Sequence, residues 1–170
     1  VTVSSQDWLA NTSLSGRNYS FFYTLAGSPT LIAPPTVDGD IDQNYLETAP
    51  ELLAFSDNIR TSSTWQIGTQ KRVIFTTGKF LIKHKISISL GGSLVVVAKD
   101  GIGLSKNLSA GSLPNNYLGG IFVTDGSFYS SVEEDFTFTP ADSDKALIVW
   151  GGVIAGSFNF SRDLGTVSNK

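Results

Sequence analysis

This sequence predicts an all-β protein: a short parallel β-solenoid (β-helix) of about four coils with one short N-terminal capping helix. A β-sandwich is the alternative. The first observation behind the prediction is a pattern of three strand-type residues, two linkers and a glycine that recurs four times. It reads Val73-Ile74-Phe75-Thr76-Thr77-Gly78, Val96-Val97-Ala98-Lys99-Asp100-Gly101, Ile121-Phe122-Val123-Thr124-Asp125-Gly126 and Leu147-Ile148-Val149-Trp150-Gly151-Gly152, with glycines 23, 25 and 26 residues apart. The second is that several apolar runs are continuous, which suits strands buried on both faces of a parallel stack. The third is punctuation by Gly91-Gly92, Gly119-Gly120 and Gly151-Gly152. A sandwich explains the number of strands but not the repeated spacing.

The elements follow in order. Residues 1–20 are polar around Trp8 and read as an N-terminal arm that orders only on docking. A capping region follows at 21–64. It opens with the strand-like run Phe21, Phe22, Tyr23 and Leu25, and is broken at Pro34-Pro35, which remove ladder donors and fix φ. Thr48-Ala49-Pro50-Glu51 has capping-box spacing ahead of Leu52-Leu53-Ala54-Phe55, so a helix is expected over 49–57. The solenoid is expected over 65–165 and a tail over 166–170. Strands are expected at Val73–Phe75, Phe80–Ile82, Ile86–Leu90, Leu94–Ala98, Ile121–Val123, Phe136–Phe138, Ala146–Trp150 and Phe158–Phe160.

Stacking the repeats glycine on glycine makes specific columns. Val73, Val96, Ile121 and Leu147 would form one internal column, and Phe75, Ala98, Val123 and Val149 another. Phe80, Gly103, Phe128 and Ile154 would form a third. Each repeat glycine is expected to supply the positive φ of a corner.

Composition bounds the function. Hydrophobic residues make up 41% and charged residues 16%, with no cysteine and no methionine. Without cysteine there is no disulfide scaffold, thiolate nucleophile or zinc–thiolate site. No apolar run approaches the ~20 residues of a membrane-spanning helix. Starting at Val1, the chain reads as a processed mature chain or a fragment. Residues 38–58 hold six acids and no base, whereas 71–106 hold seven bases against Asp100 alone. Such zones are solvated faces or complementary patches that orient subunits. An acidic total and a basic zone without interleaved aromatics disfavour nucleic acid.

The segments Gly78-Lys-Phe-Leu-Ile82, Ile86-Ser-Ile-Ser-Leu-Gly-Gly-Ser-Leu-Val-Val-Val-Ala98, Gly120-Ile-Phe-Val-Thr-Asp-Gly-Ser-Phe128 and Ala146-Leu-Ile-Val-Trp-Gly-Gly-Val-Ile-Ala-Gly-Ser-Phe-Asn-Phe-Ser-Arg-Asp-Leu-Gly165 follow one another in the chain. Their order and spacing resemble a recurring β-solenoid-like region of large surface proteins of candidate-phyla (Patescibacteria-type) bacteria. The likeness spans residues 65–165, with an echo at Tyr19–Tyr23. It implies an exported, non-catalytic envelope or appendage module, and it supplies no catalytic residues to carry over. This chain is shorter than those proteins, so a subunit is expected in place of an embedded module.

Candidate sites are few. Asp38, Asp40 and Asp42, with Asn44 and Glu47, offer alternating oxygens to Ca²⁺ or form a solvated acidic loop; an EF-hand register fails at Ala49. His84 lies between Lys83 and Lys85, without a nucleophile or orienting partner nameable from sequence. Trp65 and Trp150, with Tyr117 or Tyr129, would make a sugar platform or core anchors. Glu133-Glu134-Asp135 with Asp142 and Asp144 would make a glycosidase pair or solvated charge. Asn11, Asn18, Asn107 and Asn159 begin Asn-x-Ser/Thr sequons.

The expected function is a non-enzymatic extracellular structural subunit, a homopolymer that forms a cell-surface filament or layer without a cofactor. Strand edges or the arm join the subunits, in one form by arm insertion into a neighbour. A monomeric adhesin for surface glycans is the alternative, and a β-helix lyase or hydrolase a third reading.

Overall fold

The computed structural model describes residues 18–108, 117–143 and 148–162. It is a parallel β-solenoid of about four turns, built from one eleven-stranded sheet that wraps a triangular core. The first face carries β4 (Trp65–Ile67), β7 (Ile86–Ile88) and the start of β10 (Tyr117–Val132). The second stacks β2 (Leu52–Phe55), β5 (Lys71–Thr76), β8 (Ser93–Ala98), the middle of β10 and then β11 (Ile148–Asn159). The third stacks β1 (Asp40–Ile41), β3 (Ile59–Thr61), β6 (Lys79–Ile82), β9 (Gly101–Ser105) and the ends of β10 and β11. The coils therefore begin at Asp40, ahead of residue 65. Phe136–Phe138, expected as a strand, is irregular.

Register decides which side chains point inward. On the second face Leu53, Ile74, Val96 and Phe122 occupy one inward column and enter the main core. Ala54, Phe75, Val97 and Val123 form the outward column beside it. The columns built on glycine alignment are thus corrected. Val73 and Phe75 face out, Val73 pairs with Val95 and not Val96, and Gly152, not Leu147, lies beside Ile121. A one-residue slip moves a side chain to the opposite face. On the third face Phe80 and Phe128 do share a column, but its other members are Ile59, Ile102 and Phe158.

The repeat glycines serve close approach more than φ. Of the four, only Gly101 has positive φ (147°). A Cβ on Gly78 would stand 2.6 Å from Asn58 N, and one on Gly126 would stand 2.6 Å from the Asp100 carbonyl carbon. Each corner glycine lets the next coil pass against its backbone. Gly156, pressed on the carbonyl of Asp125, is the third such glycine; Gly152 has open space around it.

Two helices replace expected elements. The aromatic run at Phe21 is α1 (Tyr19–Leu25), N-capped by Asn18, whose side chain accepts from Phe21 N–H at 3.1 Å. It lies on the outward column: Tyr19 and Tyr23 meet the Phe75 ring edge-on at 5.8 and 5.6 Å. That cover is why the second-face strands are apolar on both sides. The helix expected over 49–57 is instead strand β2, held in register with β5. The helical turn comes earlier, as α2 (Gln43–Thr48) with Asp42 as N-cap. Tertiary pairing overrode the capping-box signal.

The two ends of the stack differ. At the head, α2 buries Leu46 in the core and β1 covers β3. Ile32 N–H donates to Ala54 O at 2.8 Å, placing one bridging residue on the outer edge of β2. Buried Arg72 reaches up from β5 to the end of α2, donating to the carbonyls of Leu46, Ala49 (3.3 Å) and Pro50 (3.1 Å). At the tail, among the described residues, β11 pairs with β10 on one side and with no strand on the other. Arg162 then fastens the chain back upward. It donates to the carbonyls of Ser130, Leu108 (3.2 Å) and Ser105 (2.9 Å).

Candidate functional site

The acidic triplet is divided among separate structural tasks. Asp42 caps α2, accepting from Tyr45 N–H at 2.7 Å. Asp40 accepts from Arg60 Nε at 2.5 Å, and Asp38 lies 3.6 Å from the same guanidinium. Among the described residues no group of three or more His, Asp or Glu side chains comes together in a way that would hold a metal ion. Arg60 keeps the Asp40 carboxyl below its ordinary range.

His84 is half-buried in a shallow hollow with Thr64, Lys83, Lys85, Asn107, Leu108 and Glu134. Burial, then Lys83, pushes its pKa down, so the ring is neutral at pH 7. Across the hollow, Glu134 accepts from Asn107 Nδ2 at 2.6 Å and lies 3.6 Å from Lys83 Nζ. Asn107 first, then Lys83 and Ser105, hold its carboxyl below the usual range. A general acid needs the opposite shift. Glu133 pairs with Lys106 at 2.8 Å. Asp135 accepts from Thr137 N–H at 2.8 Å, Asp142 is exposed, and Asp144 lies outside the described residues. Glu133 and Glu134 thus brace their loop against Lys106 and Lys83.

That bracing has a pH consequence. Asp40 and Glu134 have lowered folded pKa values, so their stabilisation is present above the ordinary values of 3.8 and 4.5. It is lost as pH falls through the lower folded values. Thermal melts should decline modestly below pH 6.5, where unfolded His84 takes up a proton that the folded ring resists, and fall further below about 4; Asp40→Asn with Glu134→Gln should flatten the lower fall. The contribution is modest because both groups are partly exposed. An acid slope unchanged in the double variant would refute the assignment.

The aromatic platform does not assemble. Trp65 is fully buried, donating from Nε1 to Ile41 O at 3.0 Å and stacking on Phe80 at 5.7 Å. Tyr129 packs on Phe138 at 5.6 Å, and the side chain of Tyr117 lies outside the described set. Trp150 is 68% exposed on β11. Of the sequons, Asn18 caps α1, Asn107 binds Glu134, Asn159 ends β11 half-buried, and Asn11 lies outside the described residues.

What the geometry does assemble is the tail. One inward column runs into solvent there: Phe128 is 3% exposed, whereas Phe158, next in that column, is 45% exposed; Val153, beside Phe122, stays half-buried against the core. Trp150, Ile154 and Phe160 are also exposed around this rung. From Ile148 to Ser161 the chain has neither a charge nor a proline. Those are the devices that ordinarily protect a sheet edge.

No protein family, curated protein or solved structure matches this chain. The strand run of the last coil was legible in the sequence. The head closure by Ile32 and the cover by α1 were not, since both depend on contacts between distant residues.

Proposed function

We propose that this chain is a non-enzymatic structural subunit that self-assembles through the last rung of its solenoid into an extracellular, cell-surface filament or layer. The observation that carries the reading is β11: a 12-residue strand paired on one side among the described residues, uncharged, and backed by exposed apolar side chains. A parallel stack adds one rung by the same backbone ladder that joins its own rungs. The acids of the head (Glu47, Glu51, Asp57) and the bases of the middle coils (Lys71, Lys83, Lys99) supply complementary patches for further contacts. Exposed Asn18 and Asn107 sequons and the absence of cysteine and methionine suit an exported surface protein.

Electron microscopy and sedimentation at rising concentration, with and without Ca²⁺, test this. Ordered filaments or sheets are expected. Ile154→Lys, at a side chain already 39% exposed, should abolish them while changing unfolding stability by no more than about 0.5 kcal/mol. Monomers at every concentration would sink the reading and leave a glycan-binding adhesin centred on Trp150, with glycan arrays as the next step.

A further inference from the structure

We infer that the hollow around His84 binds one acidic sugar unit by its carboxylate, a uronate being the simplest case. The site is separate from β11 and does not depend on assembly.

The hollow lies where the third face turns into the first, and successive coils build its walls. Thr64 stands ahead of β4, the run 83–85 joins β6 to β7, Asn107 and Leu108 follow β9, and Glu134 follows β10. Backbone bonds fix these corners. Thr61 Oγ1 accepts from Lys83 N–H and His84 N–H, each at 2.9 Å, and Trp65 N–H donates to Lys85 O at 2.9 Å. Ser105 Oγ accepts from Asn107 N–H at 3.1 Å. These main-chain groups are satisfied within the fold, so the hollow keeps its shape without a ligand and binding orders little.

Charge selects the ligand's sign. Two lysines, Lys83 and Lys85, face one carboxylate, Glu134, which leaves one net positive charge while His84 is neutral. Glu134 is already engaged by Lys83 and by Asn107 Nδ2. Lys85 makes no ion pair, and the His84 ring no hydrogen bond, among the described residues. A lysine and an imidazole therefore remain for an incoming carboxylate.

Size and lining select a sugar over a bare ion. The hollow measures about 470 Å³, inside the range of about 300–1,000 Å³ for small-molecule sites. Thr64 and Asn107 offer partners for ring hydroxyls, and Leu108 an apolar wall for a ring face.

Binding is coupled to a proton. Burial and Lys83 lower the His84 pKa, while Glu134 and Asp40 oppose them. Lys85 lines the same hollow, and the adjacent Lys106–Glu133 pair cancels. A carboxylate seated there favours the imidazolium, so affinity rises as pH falls from about 7.5 to about 5.5.

His84 is the chain's one histidine, so its imidazole resonances report this hollow alone. The test is NMR titration of the full chain with galacturonate, at a concentration where it is monomeric. The resonances should shift saturably, with affinity about threefold higher at the lower pH. Galactose, which lacks the carboxylate, should leave them unmoved. Lys85→Gln should weaken galacturonate about fivefold, and Lys99→Gln, outside the hollow, should not. Amide shifts of β5 and β8 check that both variants fold. Glu134→Gln should bind about threefold tighter, because glutamine keeps an acceptor for Asn107 and frees Lys83. No shift with galacturonate overturns the inference, as does an equal response to galactose. Weaker binding in Glu134→Gln overturns the charge argument. A response to inorganic phosphate equal to that for galacturonate overturns the sugar assignment. Failure of assembly at β11 would move none of these readouts.

Discussion

Gly126→Ala is expected to remove about 3 kcal/mol or more of unfolding free energy, whereas Gly152→Ala should change it by no more than about 0.5 kcal/mol. Both glycines hold the same place in the sequence repeat, so sequence alone ranks them equally. The structure separates them. A Cβ on Gly126 would meet backbone, 2.6 Å from the Asp100 carbonyl carbon and 3.0 Å from Gly101 N, whereas one on Gly152 meets nothing within 4 Å. Backbone in a packed coil cannot rotate aside as a side chain does. The clash would open the corner where Gly126 N–H donates to Lys99 O at 3.1 Å, loosening β10 from β9. Chemical denaturation of the two variants is the measurement. Equal losses would mean the glycines act through φ or chain entropy, and not through coil-to-coil approach.

Arg72→Met is the second large effect, expected at about 3 kcal/mol or more. The side chain is 1% exposed and points up into the first coil. There it donates to three carbonyls at the C-terminal end of α2, and its Nε–H donates to Gln70 Oε1 at 3.0 Å. Burial lowers its pKa, with Glu51 opposing, so charge is kept here by hydrogen bonding and not by a carboxylate contact. Methionine fills much of the volume but leaves the carbonyls of Leu46, Ala49 and Pro50 without these donors. Arg72→Lys should recover only part of the loss, because one ammonium cannot serve the same spread of acceptors. Lys71→Met, on the exposed neighbour, is the control and should be near neutral. If Arg72→Met matched it, the head of the stack would not depend on this clamp.

The parts of this fold that were legible in sequence are those governed by short-range pattern. Runs such as Leu94–Ala98 and Phe80–Ile82 are strands because β-branched and aromatic side chains suit a pleated surface on both faces. The parts that were misread are those where local signals compete. Phe21-Phe22-Tyr23 reads as strand by composition, yet Asn18 caps a helix there, which covers Phe75 and Val97. Thr48-Ala49-Pro50-Glu51 reads as a helix start. Leu52–Phe55 instead gains a full parallel ladder with Val73–Thr76, which a helix would forgo. The acidic triplet showed the same limit: spacing suggested shared ligation, but Arg60 and the α2 N-terminus divided its members.

By itself the sequence determined the class of architecture, a parallel β-solenoid, because a repeated strand-and-glycine unit can bury its apolar side chains only against copies of itself. It also marked the final rung as uncharged and without proline. Only the tertiary structure decided the register, and with it which column is core and which is covered by α1, since pairing between coils is set by contacts more than twenty residues apart. The same distance dependence decided that the head is closed by Ile32, α2 and Arg72 while, among the described residues, β11 pairs on one side only. Edges are made and covered by long-range backbone pairing, which local sequence pattern does not encode.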